Sequence, residues 1–174
     1  KKANETILHD MMPKVYGGFN TDVTWKGLSV GLNFTYRFGS KTYDAADRDC
    51  NDDGYYWERT MSKTAYKDSW TPTNTNAKYP QRVAWDMEDV NQRSSRHLHN
   101  GDYIRLKTIS IGYNLPKSIV NKAGLSNARV YFNGTNLLTW AAHKEYDPEV
   151  NAYYTRAWET PIGKTYTFGV ELSF

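Results

Sequence analysis

The chain has 174 residues, of which 15% are aromatic, and a formal charge of +3. No run of about 18 apolar residues occurs, which excludes a transmembrane helix, and a charge so small and interspersed argues against a nucleic-acid partner. Cys50 is the only cysteine, so no disulfide framework forms within the chain.

Lys1 to Pro13 is polar and lacks the apolar core of a signal peptide. The first expected strand runs from Val15 to Trp25, with Val15, Phe19, Val23 and Trp25 on one face and Tyr16, Asn20, Asp22 and Thr24 on the other. Lys26-Gly27 makes a short turn. In the second strand Leu28, Val30, Leu32, Phe34, Tyr36 and Phe38 alternate with Ser29, Gly31, Asn33, Thr35 and Arg37, a period of two that rejects a helix. Two such runs around a tight turn form an antiparallel hairpin. The third strand, Asp102 to Leu115, places Ile109, Ile111, Tyr113 and Leu115 on one face, but the same parity continues back to Lys107 and Arg105. Either a bulge shifts the phase near Thr108, or the first half stands above an apolar layer. The fourth strand, Ala128 to about Trp140, loses its apolar parity at Asn136. The fifth starts near Lys164 and puts Tyr166, Phe168, Val170, Leu172 and Phe174 on one face, with Thr167, Gly169, Glu171 and Ser173 opposite.

The connections alternate in length. Strands one and two join tightly, and strands three and four join through Pro116 to Asn127, with a helical turn between Pro116 and Gly124. Long loops, about 40–101 and 141–162, join the others. Short turns on one side and long loops on the other match an outer-membrane β-barrel, with the lipid face apolar and the lumen face polar. Five strands cannot close such a barrel, so the fold class is all-β: an antiparallel up-and-down meander from a larger transmembrane barrel. The alternative is a soluble β-rich carbohydrate-binding module, which would bury the apolar faces against a second sheet.

Local sequences carry a family resemblance in their order and spacing. Pro13-Lys-Val-Tyr-Gly-Gly-Phe-Asn20 precedes Lys26-Gly-Leu-Ser-Val-Gly-Leu-Asn-Phe-Thr-Tyr-Arg-Phe-Gly39. Trp70-Thr-Pro-Thr-Asn74 leads into Ala77-Lys-Tyr-Pro80 and Arg82. Asn100-Gly-Asp-Tyr-Ile-Arg-Leu-Lys-Thr-Ile-Ser-Ile-Gly-Tyr-Asn-Leu-Pro116 is the most specific stretch. Ala128-Arg-Val-Tyr-Phe-Asn-Gly-Thr-Asn-Leu-Leu-Thr-Trp140, Tyr146-Asp-Pro-Glu149 and Gly163-Lys-Thr-Tyr-Thr-Phe-Gly-Val-Glu-Leu-Ser-Phe174 follow. Together they resemble the C-terminal end of SusC/RagA-family TonB-dependent outer-membrane transporters. The resemblance implies that residues 1–174 form the last five or so strands of a 22-stranded barrel, and that the plug domain, TonB-binding segment and signal peptide lie in a preceding part of the parent. It implies uptake of glycans or peptides in the outer membrane, with TonB, a SusD-like surface lipoprotein and outer-membrane lipid as partners. The loops would be extracellular and the C-terminus periplasmic. It also gives Tyr166, Phe168, Val170, Leu172 and Phe174 the role of an assembly signal.

No catalytic constellation is visible, so no enzyme is expected. His9, His97, His99 and His143 are scattered, and a metal reading for His97 and His99 gives way to solvated loop histidines. Asp49-Cys-Asn-Asp-Asp-Gly54 matches the start of a calcium loop, with Asp49, Asn51 and Asp53 as the oxygen ligands. Thr60 stands where that loop needs a bidentate Glu, and the competing reading is an acidic solvated turn. Calcium is the one cofactor the residues suggest. Tyr55, Tyr56, Trp57, Trp70, Trp85, Tyr153, Tyr154 and Trp158 fall in the long loops, where aromatic faces stack on sugars, pack loops or meet a lipoprotein. Trp25, Trp140 and Tyr36 suit an interfacial girdle.

Overall fold

The computed structural model describes residues 10–51, 54–55, 58–85, 93–144, 147–149, 155–156 and 159–174. Its strands are β1 (Val15–Trp25), β2 (Leu28–Phe38), β3 (Lys41–Asp44), β4 (Leu98–Asn100), β5 (Tyr103–Asn114), β6 (Asn127–Ala141), β7 (Thr155–Arg156) and β8 (Thr165–Ser173). The helices are α1 (Ala45–Cys50), α2 (Lys63–Lys67) and α3 (Lys117–Val120), with 3-10 turns at Ser95–His97 and Asn121–Ala123. The chain divides into two compact units.

One unit, residues 13–40, 101–148 and 161–174, holds a five-stranded sheet in the order β1-β2-β5-β6-β8. Every neighbouring pair is antiparallel, so the five long strands form a meander in chain order. Lys26 and Gly27 both have positive φ, 46° and 87°, and join Trp25 directly to its partner Leu28. That is the two-residue hairpin geometry whose twist suits the flanking strands. A Cβ on Gly27 would lie 2.9 Å from the Asn114 carbonyl oxygen, so glycine also allows β5 to close in. The 3-10 turn Asn121–Ala123, which continues from α3, ends at Gly124 in the left-handed region, φ 72°, as the Pro116–Gly124 spacing predicts. Both short connections and Ser173 share one end of the sheet, where Asn114 N–H donates to Gly27 O and Ser126 N–H to Ser173 O.

Residues paired across an antiparallel ladder point to the same face. The register therefore lays out rows: Trp25–Leu28–Tyr113–Val130–Val170, then Val23–Val30–Ile111–Phe132–Phe168, then Thr21–Leu32–Ile109–Gly134–Tyr166. Phe19–Phe34–Leu106–Leu138 and Gly17–Tyr36–Ile104–Trp140 complete the apolar face. Phe19 stacks on Phe34 with ring centroids 4.7 Å apart, and Phe132 meets Phe168 in a tilted contact at 4.9 Å. A sandwich would bury this face, but Phe168 is 78% exposed and Val170 66%. From the Trp25–Leu28 row to the Tyr36–Trp140 row is eight residues, about 26 Å along a strand. At a barrel tilt near 40° this spans roughly 20 Å of depth, most of an apolar band of about 25 Å. Trp25 and Tyr113 mark one edge of that band, and Tyr36 and Trp140 the other.

The parity conflict in the third strand is a bulge. Phe34 pairs with Leu106 and Asn33 with Thr108, so Lys107 is skipped. On the other side Leu106 pairs with Leu138 and Thr108 with Thr135, leaving Asn136 and Leu137 opposite Lys107. Asn136 adopts φ 54°, which explains why the fourth strand loses its alternation there.

The other unit, residues 41–100 and 149–160 with 1–12, is held by a small three-stranded sheet in the order β4-β3-β7. Asp44 caps α1 by accepting from Asp47 N–H at 2.8 Å, and Ser62 caps α2 by accepting from Ala65 N–H at 3.1 Å. Tyr43, Ala46, Ala65 and Tyr79 are buried here, yet so are Asp44, Asp47, Asp49, Asn51 and His97.

Candidate functional site

The polar face of the large sheet carries the rows Asp22–Gly31–Ser110–Asn133–Thr167 and Thr24–Ser29–Gly112–Tyr131–Gly169. It encloses a concavity of about 560 Å³ bordered by Asp22, Ser29, Ser110, Arg129, Tyr131 and Glu171. Glycine makes this surface possible. A Cβ on Gly169 would lie 2.2 Å from Tyr131 Cζ, and one on Gly112 would lie 2.7 Å from Arg129 Nη2. Tyr131 and Arg129 thus lie flat over their neighbouring strands.

Two buried arginines stand on this polar face at the end bearing the long connections. Arg37 donates from Nη2 to Pro148 O at 2.8 Å and to Gly101 O at 3.1 Å, above the Tyr103 ring. Arg105, 2% exposed, pairs through Nη2 with Asp147 Oδ1 at 2.6 Å. The other Asp147 oxygen accepts from Ile162 N–H at 3.3 Å. Asp102 Oδ1 accepts from the N–H groups of Gly39 and Ser40 at 2.7 and 3.2 Å, fixing the start of the first long connection.

The smaller unit is organised around Asp47. Its Oδ2 faces His97 Nδ1 at 2.9 Å and His99 Nε2 at 3.3 Å, and its Oδ1 accepts from Asn51 Nδ2. Ser62 Oγ in turn donates to Asn51 Oδ1. Arg96 Nη2 lies 3.4 Å from His97 Nε2. A guanidinium only donates, so Nε2 accepts and the proton sits on Nδ1, donated to Asp47. Burial alone would push the Asp47 carboxyl up. The hydrogen bonds from His97, His99 and Asn51 outweigh it and hold Asp47 far below the usual carboxylate range. Burial raises the Tyr43 hydroxyl against the opposing charges of Arg48 and Arg93. Burial and the neighbouring Asp49 raise the Cys50 thiol, which favours its protonated form.

No family model matches the chain. Two TonB-dependent receptors of Formosa agariphila are each 32% identical to it, over 149 and 145 residues that make up 86% and 82% of the chain. A solved structure of the RagAB peptide transporter matches 97% of the chain at 28% identity with a TM-score of 0.77. The RagAB peptide importer in its closed-closed state matches at 0.79. The chain belongs to the SusC/RagA family of TonB-dependent receptors. It spans about 14% of the length of the curated receptors and 18% of the matched RagAB chain.

Within this SusC/RagA segment the expected site residues are dispersed. Among the loop aromatics, Tyr55, Trp70 and Trp85 lie in the smaller unit and are exposed, Trp85 at 66% with φ 61°. Tyr56, Trp57, Tyr153, Tyr154 and Trp158 lie outside the described residues. Tyr166, Phe168, Val170 and Leu172 share the exposed apolar face of β8, and Phe174 is 94% exposed at its end.

Of the calcium set, Asp53 lies outside the described residues. Asp49 sits in α1 rather than in an open loop, and its carboxylate is flanked by Arg48 at 2.8 Å and by Arg59. Asn51 is engaged by Asp47 and Ser62. The described members of the set thus have protein partners. The acidic turn also differs from a solvated one, since Asp44, Asp47 and Asp49 are buried. His97 corrects the expectation of a solvated loop histidine. It is fully buried because Asp47 and Arg96 satisfy both ring nitrogens. The Asp47–His97 and Arg105–Asp147 pairs escaped sequence reading, since their partners stand 50 and 42 residues apart. The parity conflict at Arg105 was the one local signal.

Proposed function

We propose that this chain forms wall and mouth of an outer-membrane importer, its apolar face against lipid and its polar face lining the lumen. The observation that carries this reading is the apolar face of the meander, with Thr21 the one polar residue in its paired rows, backed by a face of small and polar residues. The end with the long connections faces outward, and the end with the short turns and Phe174 faces the periplasm. The parent takes up peptides or glycans with energy delivered by TonB, together with a SusD-like surface lipoprotein. Relatives named as TonB-dependent receptors, and neighbours named as a peptide transporter, support transport rather than catalysis. Exposed Tyr55, Trp70 and Trp85 are candidates for contact with substrate. Tyr166, Phe168, Val170, Leu172 and Phe174 serve as the signal read during barrel assembly.

A strain lacking the parent gene tests this. It is expected to lose growth on either oligopeptides as nitrogen source or oligosaccharides as carbon source, and complementation should restore it. Loss of TonB should abolish uptake while surface binding persists. Undiminished growth on both nutrient classes would overturn the reading.

A further inference from the structure

The bulge at Lys107 decides which face Arg105 occupies. Without the skipped residue, Arg105 would share the face of Ile109 and Ile111. With it, Arg105 pairs with Thr35 and Thr139 on the polar face. There it holds Asp147 at 2.6 Å, and Asp147 also takes the N–H of Ile162, on the returning side of the same long connection. Arg37, 7% exposed and on the same face, grips the next carbonyl, Pro148 O, at 2.8 Å. Asp147 precedes a proline, which favours an extended backbone, and Pro148 has its own φ fixed by its ring. Two charges fix a stiff dipeptide on the polar face. Beside it lies a hollow of about 570 Å³ bordered by Thr139, Trp140, Lys144, Pro148 and Pro161.

We propose that Asp147–Pro148 is a fixed shelf across the polar face, latched by Arg105 and Arg37, that narrows the mouth of the channel and limits the width of what enters. This rests on the polar face being the lumen. The latch is held by charge-assisted bonds from two buried guanidinium groups, the stronger class of hydrogen bond. Arg105 and Arg37 are positioning residues. Neither needs to touch the cargo.

The test uses the full-length parent with two readouts. A nitroxide at Lys144→Cys, in a Cys50→Ser background and in lipid vesicles, reports motion of the segment. It should be immobilised with Arg105 intact and mobile in Arg105→Ala and Asp147→Asn, the second variant guarding against a failure of the first to fold. In intact cells, uptake is measured for a linear oligopeptide and a linear oligosaccharide, each plain and carrying a bulky terminal dye. The ratio of dyed to plain uptake should rise in both variants, since either substitution breaks the Arg105–Asp147 pair. A label equally immobile in all proteins overturns the latch. A mobile label with an unchanged ratio overturns the constriction. Absence of uptake of every probe refutes the transport reading and the constriction with it, while the label still reports on the latch.

Discussion

Gly169→Ala places a methyl group where the Tyr131 ring lies. The new Cβ would stand 2.2 Å from Cζ and 2.4 Å from the hydroxyl oxygen. Ordinary carbon contacts are about 3.5–4.0 Å, so the ring must retreat by roughly 1.3–1.8 Å. Gly169 and Tyr131 are direct ladder partners, and the neighbouring rows Val130–Val170 and Phe132–Phe168 hold the register on both sides. The strand cannot slide to make room without moving its apolar residues to the wrong face. Tyr131 must therefore leave its place or β8 must lift. The atoms that must move are the far end of the half-buried Tyr131 side chain, which can swing toward the concavity, so the cost falls at the low end of overpacking, about 1 kcal/mol, about a 5-fold change in an equilibrium constant. The assay is urea unfolding of the full-length parent in vesicles, read from the mobility shift between folded and unfolded barrels. Tyr131→Ala in the same protein supplies the control. The double variant should recover most of the loss, giving a coupling of about 1 kcal/mol in the cycle. Gly169→Ala at wild-type stability, or the two losses simply adding, would refute the view that Tyr131 lies across Gly169.

Leu32→Arg, at the middle row of the apolar face, should cost about 2–4 kcal/mol of folding in vesicles, whereas Asn33→Arg next to it should be nearly neutral. The Asp47 carboxyl is held below its ordinary value of 3.8, so the stability it contributes is complete above about pH 4 and is lost as pH falls toward its folded value. Limited proteolysis of residues 41–100 should therefore be flat from neutral pH down to about 4 and accelerate below it, and Asp47→Asn should raise the neutral rate and flatten the acid limb. Deleting Phe174 should lower the amount of parent in the outer membrane while uptake per inserted molecule stays near normal. Unchanged abundance would remove its role in assembly.

The large sheet is legible in the sequence because each long strand encodes its own face. Val15–Trp25 and Leu28–Phe38 have the bounds that alternation alone predicts. The expected helical turn after Pro116 is α3, with the 3-10 turn closed by Gly124. The bulge was half legible: the phase break at Lys107 and the lapse at Asn136 are two sides of one irregularity, visible only once the strands are paired. The smaller unit was not legible. Its strands have two to four residues and its helices are short, too short for periodicity to register. Its order comes from polar pairs such as Asp49 with Arg59 and Asp47 with His97, the second pair joining residues 50 positions apart. Composition marked that stretch as an acidic loop, and the structure shows that several of those acids are interior.

The most direct test of the membrane-wall account is a nitroxide accessibility scan along β2 and β8 of the full-length parent in lipid vesicles. Single labels would be placed at Val30, Leu32, Asn33, Phe34, Thr35, Thr167, Phe168 and Val170. Collision with oxygen should peak at Val30, Leu32, Phe34, Phe168 and Val170, and collision with a water-soluble nickel chelate should peak at Asn33, Thr35 and Thr167, a strict period of two. Equal oxygen and nickel access at neighbouring positions, or oxygen peaks at Asn33 and Thr167, would contradict the account.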